Sequence, residues 1–362
     1  MSIQRLPIHE FMQRSVGHIV LDVRSPAEYN HACMPGAISV PLFSDEERKQ
    51  IGTAYKQQSR ELAIKIGLGF FGPRMKEMVE KVENIVGTNK PNATNNEEVN
   101  SLNGSGCLFI YCWRGGMRSG AVAWLLDLYG FKVHTLAGGY KAFRNYVLKS
   151  FDQAFNFKIV GGYTGSGKTE VLNRLGKNGE SFIDLEAIAS HKGSAFGSHK
   201  MPPQPSQEMF ENLLSTRLND VYNSHPFSPI WLEDESQRIG NINIPNAIWE
   251  KMRSSPVFFL DIPFEQRLDH LVEEYQDCDK QKLIESTLRI SKRLGPLETR
   301  NTVTHLENGE FTEAFRYLLL YYDKLYLKGL HNRERLLTLL TNIPSKSVDP
   351  ENARLLTKYQ TA

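Results

Sequence analysis

The residues able to do chemistry fall into two clusters. In the first, Cys112-Trp113-Arg114-Gly115-Gly116-Met117-Arg118-Ser119 follows the apolar run Leu108-Phe109-Ile110-Tyr111 and precedes an Ala- and Leu-rich stretch. A cysteine placed where a buried strand breaks into a glycine-bearing loop and then a helix has backbone N–H groups and a positive dipole end aimed at its sulfur. Arg114 and Arg118 add fixed positive charge. These effects favour thiolate over thiol, so Cys112 is expected to be a nucleophile in an anion-binding cradle shared with Arg114 and Arg118. The plainer alternative, a structural cysteine at a strand end, leaves the Gly pair and both arginines unexplained.

The second cluster is Gly162-Tyr163-Thr164-Gly165-Ser166-Gly167-Lys168-Thr169. Glycine, four residues, then Gly-Lys-Thr is the P-loop spacing. Gly162, Gly165, Ser166 and Gly167 allow backbone amides to wrap a phosphate, Lys168 supplies a point charge, and the Thr169 hydroxyl suits Mg²⁺, directly or through water. Acids at the carboxyl ends of later strands face the same crevice in doubly wound sheets. Asp184 is one. Glu233 and Asp234, at the end of Ser228-Pro229-Ile230-Trp231-Leu232, have the look of a Walker B segment. Arg238 follows closely, placed to pair with these acids or with phosphate. These residues complete the expected phosphate- or diphosphate-binding set.

The elements that position them alternate. Strands are expected at 18–22, 37–40, 108–111 and 132–136, with helices at 8–15, from Pro26, across 44–84, from Gly120 and to about Ser150. The run Gly67-Leu68-Gly69-Phe70-Phe71-Gly72-Pro73 is expected to interrupt the long helical stretch, and its phenylalanines are a candidate apolar lining. Residues 87–106, rich in Asn, Ser and Gly, read as a flexible insertion. Beyond it, strands at 157–160, 181–184, 228–232 and 257–261 lead into a mostly helical region from 270. The class is therefore α/β with parallel sheets, in two domains, 1–150 and 151–362.

The chain has 362 residues, 43 basic and 41 acidic, net charge +2, so nucleic-acid contact would need local patches. Arg289, Lys292 and Arg293, and Lys328, His331, Arg333 and Arg335 near Tyr317, Tyr321, Tyr322 and Tyr326, are such candidates, though amphipathic helices explain them equally well. Four cysteines without a CxxC pair argue against zinc or a disulfide framework. No signal-peptide core or membrane-length apolar run is visible. A soluble protein of a reducing cytoplasm, with no membrane association, is expected.

Asp22-Val23-Arg24-Ser25-Pro26-Ala27-Glu28-Tyr29, then His31, Pro35-Gly36-Ala37-Ile38 and Val40-Pro41, then the Cys112 loop and Leu136-Ala137-Gly138-Gly139-Tyr140, resemble the rhodanese fold in order and spacing. In that family the cysteine carries a persulfide. The seven residues from Cys112 to Arg118 are one more than sulfur-carrying rhodaneses usually have. The loop looks like that of the related rhodanese-fold phosphatases, which implies a cradle for a phosphate-sized anion. The second half resembles P-loop kinases of the adenylate-kinase type.

Fused in this order, the halves resemble the bacterial tRNA 2-selenouridine synthases over essentially the whole chain. Glu46-Glu47-Arg48, Tyr55-Lys56-Gln57, Asp184-Leu185-Glu186, His191-Lys192-Gly193-Ser194 and Glu233-Asp234-Glu235-Ser236 add to the match. The resemblance implies replacement of the sulfur of wobble 2-thiouridine in tRNA by selenium from selenophosphate, and S-geranylation from geranyl diphosphate. No tightly bound cofactor is expected, and Mg²⁺ is a candidate metal at Thr169 from the P-loop reading. Rival readings are a P-loop kinase acting on RNA or a small molecule with a rhodanese-like regulatory domain, a phosphatase, and a non-catalytic tRNA-binding module. The phosphatase reading is weakened because residues 113–117 include no acid.

Overall fold

The computed structural model describes residues 3–88 and 107–360. Most of the expected 87–106 insertion lies outside the described residues, while Gly87 and Thr88 close a helix. The chain divides into two compact units, Met1–Lys149 and Ser150–Ala362.

The first unit runs β1 (Gln4–Leu6), α1 (Ile8–Arg14), β2 (Val20–Asp22), α2 (Pro26–His31), β3 (Ile38–Ser39), α3 (Asp45–Gln57), α4 (Arg60–Thr88), β4 (Leu108–Tyr111), α5 (Met117–Tyr129), β5 (Val133–Leu136) and α6 (Gly139–Ser150). Its sheet has the order β1-β5-β4-β2-β3, with every pairing parallel. All four residues of β4 are buried, as a central parallel strand covered on both faces requires. Ser25 precedes Pro26 at the start of α2, and the Glu28 carboxylate accepts the Ser25 N–H at 3.0 Å.

The expected break at 67–73 is absent. Helix α4 runs unbroken from Arg60 to Thr88 through Pro73. Tertiary packing outweighs propensity here: Phe71, Met78, Val79 and Val82 are buried in the core with Phe43 and Leu126. Gly67 packs against Phe43 and Ile51, where an added Cβ would make ordinary contacts at 3.4 and 3.7 Å. Arg74 clamps Glu47 at 2.6 and 2.7 Å. Phe71 is thus a core residue, and no ligand-facing role follows for it.

The second unit runs β6 (Phe157–Gly162), α7 (Lys168–Lys177), β7 (Ser181–Ile183), α8 (Leu185–Ala189), α9 (Gln207–Ser224), β8 (Ile230–Glu233), a hairpin of β9 (Arg238–Ile239) and β10 (Ile242–Asn243), α10 (Asn246–Arg253), β11 (Val257–Asp261), α11 (Phe264–Tyr275), α12 (Lys280–Arg289), α13 (Ser291–Leu294), α14 (Pro296–Asn308), α15 (Phe311–His331), α16 (Leu336–Leu339), β12 (Leu340–Pro344) and α17 (Ala353–Gln360). Its five-stranded sheet is also parallel, in the order β12-β11-β6-β8-β7. β6 is first in sequence and central in space, so the loops leaving β6 and β8 open a crevice at their carboxyl ends. Helices α11–α15 enclose their own core around Leu268, Leu283, Leu306, Phe315 and Leu319. Among the described residues no helix is long and apolar enough to cross a membrane.

Candidate functional sites

Cys112 directly follows β4 and is only 3% exposed. Its Sγ lies 3.2 Å from the Ser119 hydroxyl in the first turn of α5. Burial pushes the thiol up, but the Ser119 hydroxyl, the amides of Ser119 and Gly116 and the charge of Arg118 outweigh it and hold the thiol below its ordinary value. The loop is fixed from outside by α6, whose Tyr140 and Lys141 amides donate to the Cys112 and Trp113 carbonyls at 2.8 and 3.1 Å. Gly139 makes that approach possible. It has φ +59°, and a Cβ there would fall 2.2 Å from the Cys112 oxygen.

The two arginines differ. Arg114 is exposed. Arg118 donates to both oxygens of Glu28, at 2.6 and 3.3 Å. Burial pushes the Glu28 carboxyl up, yet Arg118 prevails and holds it at about 2. An anion entering the cradle therefore competes with Glu28 for Arg118. Beneath the loop, buried Asp22 and Arg24 pair through 2.6–3.0 Å hydrogen bonds, Tyr111 donates to Asp22 at 2.7 Å, and the Arg24 guanidinium stacks 3.8 Å from the Tyr140 ring centre. This network braces β4 and α6, the two elements that hold the thiol loop.

In the second unit the P-loop joins β6 to α7. Lys168 Nζ donates to the Gly162 carbonyl at 3.2 Å. Gly165 has φ +76°, and a Cβ there would come 2.8 Å from the Arg267 carbonyl and 2.9 Å from Leu271. The buried Arg267 guanidinium donates to the Thr164 carbonyl at 3.1 Å and binds Asp323 at 2.9 and 2.8 Å. Ser166 is buried within the loop, and Gly167 caps α7 in a left-handed conformation.

The Thr169 hydroxyl lies 3.0 Å from Glu233 Oε2 and 3.3 Å from Glu186 Oε2. Carboxylate oxygens of Glu186, Glu233 and Glu235 gather within 4.8 Å of one another. Burial first, then mutual repulsion with neighbouring acids, pushes Glu186 and Glu233 well up, and burial raises Glu235 to about 7 against the pull of Lys168. Glu233 Oε1 is buried without a hydrogen-bond partner. An oxygen-only donor set with an orphaned carboxylate oxygen beside a P-loop threonine fits a hard divalent cation such as Mg²⁺. Thr169, Glu233, Glu186 and Glu235 would hold it, and it would neutralise phosphate charge.

The other expected members stand elsewhere. Asp184 caps α8, accepting the Ala187 N–H at 2.7 Å, and acts on the cluster through its charge. Asp234 turns away from Thr169 to accept Tyr326 at 2.8 Å and to pair with Arg333. Arg238 lines the crevice with its guanidinium on the Gly240 carbonyl, 2.9 Å away. Arg289 and Arg293 also line it, whereas Arg333, one of the basic candidates, is buried at 4% exposure and is no surface contact. Glu186 and Glu235 were the residues sequence reasoning passed over as site members. The available signal was an acid two positions beyond each of Asp184 and Glu233, at the ends of what prove to be adjacent strands.

Comparison with known proteins covers both units. Residues 9–146 match the rhodanese-like domain profile, and residues 155–343 match the profile described as the tRNA 2-selenouridine synthase AAA domain. Curated relatives named tRNA 2-selenouridine synthase include one from Nitrosomonas europaea, 34% identical over 71% of this chain and 63% of its own length. Another, from Bdellovibrio bacteriovorus, is 32% identical over 87% of this chain and 89% of its own length. A third, from Pseudomonas syringae pv. tomato, is 36% identical over 71% of this chain and 65% of its own length. The chain thus spans just under two thirds of the first and third of these relatives and nearly all of the second. With both units matched in order and one relative aligned almost end to end, the chain belongs to the tRNA 2-selenouridine synthase family.

Proposed function

We propose that this protein modifies tRNA, converting wobble 2-thiouridine to 2-selenouridine with selenophosphate as selenium donor and S-geranylation as the activating step. One observation carries the reading: a single chain holds a thiol kept below its ordinary pKa in an amide-lined loop and a P-loop backed by a carboxylate cluster fit for a cation. Family membership supports the tRNA substrate.

In this scheme the P-loop, with Lys168 and Thr169, holds the diphosphate of geranyl diphosphate. The thiocarbonyl sulfur attacks the geranyl C1, the C–O bond breaks, and diphosphate leaves. Alkylated sulfur is a better leaving group than a thiocarbonyl. Selenium of selenophosphate then adds at C2, geranyl thiol departs, and water cleaves the Se–P bond, leaving 2-selenouridine and phosphate. The Cys112 loop, with Arg114 and Arg118, holds selenophosphate or the phosphorylated intermediate.

The test is mass spectrometry of nucleosides from 2-thiouridine-bearing tRNA incubated with the protein, selenophosphate, geranyl diphosphate and Mg²⁺. Selenouridine is expected, with loss of selenium incorporation in Cys112→Ser and of geranylation in Lys168→Ala. Undiminished incorporation by Cys112→Ser overturns the role of the cradle. A Lys168-dependent phosphorylated product formed from ATP would instead support the kinase reading.

A further inference from the structure

One side chain of α15 touches three parts of the phosphate site. The Tyr326 hydroxyl accepts the Gly162 N–H at 3.1 Å and donates to Asp234 Oδ2 at 2.8 Å. The other Asp234 oxygen takes Arg333, whose buried guanidinium also donates to the Met252 carbonyl at 2.8 Å. Gly162 is in turn the residue whose carbonyl accepts Lys168 Nζ, and that ammonium lies 6.0 Å from the Tyr326 ring centre. Three residues earlier on α15, Asp323 clamps Arg267, the donor to the Thr164 carbonyl. One helix therefore grips the P-loop at its entry and again near its tip.

Asp234 is thus pinned between a phenol and a buried arginine, one carboxylate oxygen to each. Donation to its charge polarises the phenol and makes the oxygen a stronger acceptor for the Gly162 amide. We propose that Tyr326 is a positioning residue for the P-loop: Asp234 and Arg333 hold its hydroxyl, the hydroxyl holds Gly162, and Gly162 sets where the Lys168 ammonium stands. The proposal rests on the reading of the P-loop as a diphosphate site.

The experiment is calorimetric titration of the full chain with inorganic pyrophosphate and Mg²⁺, paired with amide hydrogen exchange. Tyr326→Phe keeps the ring and removes the relay. It is expected to weaken pyrophosphate about tenfold, the equal of about 1.4 kcal/mol, and to speed exchange in the peptide covering Gly162 while the rest of β6 and β11 exchange as in the wild type. Unchanged affinity in folded Tyr326→Phe overturns the proposal. Faster exchange throughout β6 and β11 does so too, because it marks general loosening. Should Tyr326→Phe fail to fold, Asp234→Asn, which keeps an acceptor for the phenol, carries the test. Without the carboxylate charge the phenol is a weaker acceptor for Gly162, so a loss of about threefold in pyrophosphate affinity with faster exchange at Gly162 is expected; unchanged affinity and exchange, or a loss matching Lys168→Ala, which would make Asp234 a ligand, overturns the proposal. Lys168→Ala separates the two levels: a wild type that binds no pyrophosphate, or a Lys168→Ala variant that binds it equally well, overturns the diphosphate reading and the proposal together.

Discussion

Replacing Ser119 by alanine isolates what the serine does for the Cys112 thiolate. In the neutral thiol state the Cys112 S–H can donate to the Ser119 oxygen while the serine hydroxyl donates to the Gly116 carbonyl, 3.2 Å away. When the thiol ionises, the serine has one proton to offer and turns it to the sulfur. The thiolate thus gains a charge-assisted bond, about 1.5–3 kcal/mol, and gives up the neutral S–H bond, about 0.5–1.5 kcal/mol net, while the exposed Gly116 exchanges its serine partner for water at little cost. The difference, about 1.4 kcal/mol, is about one pKa unit. Ser119→Ala should therefore raise the Cys112 pKa toward its ordinary value. At pH values below the wild-type Cys112 pKa the thiolate fraction falls about tenfold, intrinsic nucleophilicity recovers about threefold, and the alkylation rate drops about threefold. The assay is the pH dependence of iodoacetamide alkylation, read by peptide mass spectrometry so that Cys33, Cys107 and Cys278 are scored separately. An unchanged or lowered Cys112 pKa in Ser119→Ala would refute the reasoning and leave the amides and Arg118 as the whole cause.

The remaining predictions concern the supports. Glu28→Gln should cost about 1–3 kcal/mol at pH 7 by breaking the Arg118 pair. Because the Glu28 carboxyl is held at about 2, its contribution is present above the unfolded pKa and fades as pH falls through about 2. The wild-type advantage in chemical denaturation should therefore be smaller at pH 3 than at pH 7. Gly139→Ala should destabilise the first unit by about 3 kcal/mol or more, since its Cβ would strike the Cys112 carbonyl in a left-handed backbone. Gly120→Ala, with nothing within 4 Å of the new methyl, should be neutral or stabilise by about 0.4–1 kcal/mol. Both are read from urea midpoints, and equal effects would show that the tight approach of α6 is unimportant. Glu233→Gln should abolish the tightening of pyrophosphate binding by Mg²⁺, measured with and without EDTA, and retained Mg²⁺ dependence would place the cation elsewhere.

What could be read without coordinates was what is local. Cys112 and Lys168 announce themselves because loop chemistry needs particular residues at consecutive positions. The parallel sheets follow from apolar runs alternating with helical periods. Contacts between distant positions stayed hidden: Arg118 reads as a free cation until Glu28, ninety residues away, is seen on it. Asp234 and Glu233 are neighbours of one type, and only the strand geometry sends one to Tyr326 and the other to Thr169. Pro73 misled because local propensity favours a break where the core packing of Phe71 and Val79 sustains a helix. Strand β12 was missed because it follows a long helical region and exposes Asn342 at its centre.

The α3–α4 pair bears on how the first unit assembles. Its contacts are local: Glu47 caps α3 through Ser44 and meets Arg74 on the next helix. The thiol cradle, by contrast, needs β4 beside β2, a pairing of Val20 with Phe109 across about 90 residues of chain. Loop-closure entropy delays such pairings relative to local ones. The helical hairpin should gain protection from exchange early in refolding and the cradle late, so Cys112 is open to oxidation in a nascent chain for longer than the helices beside it are unfolded.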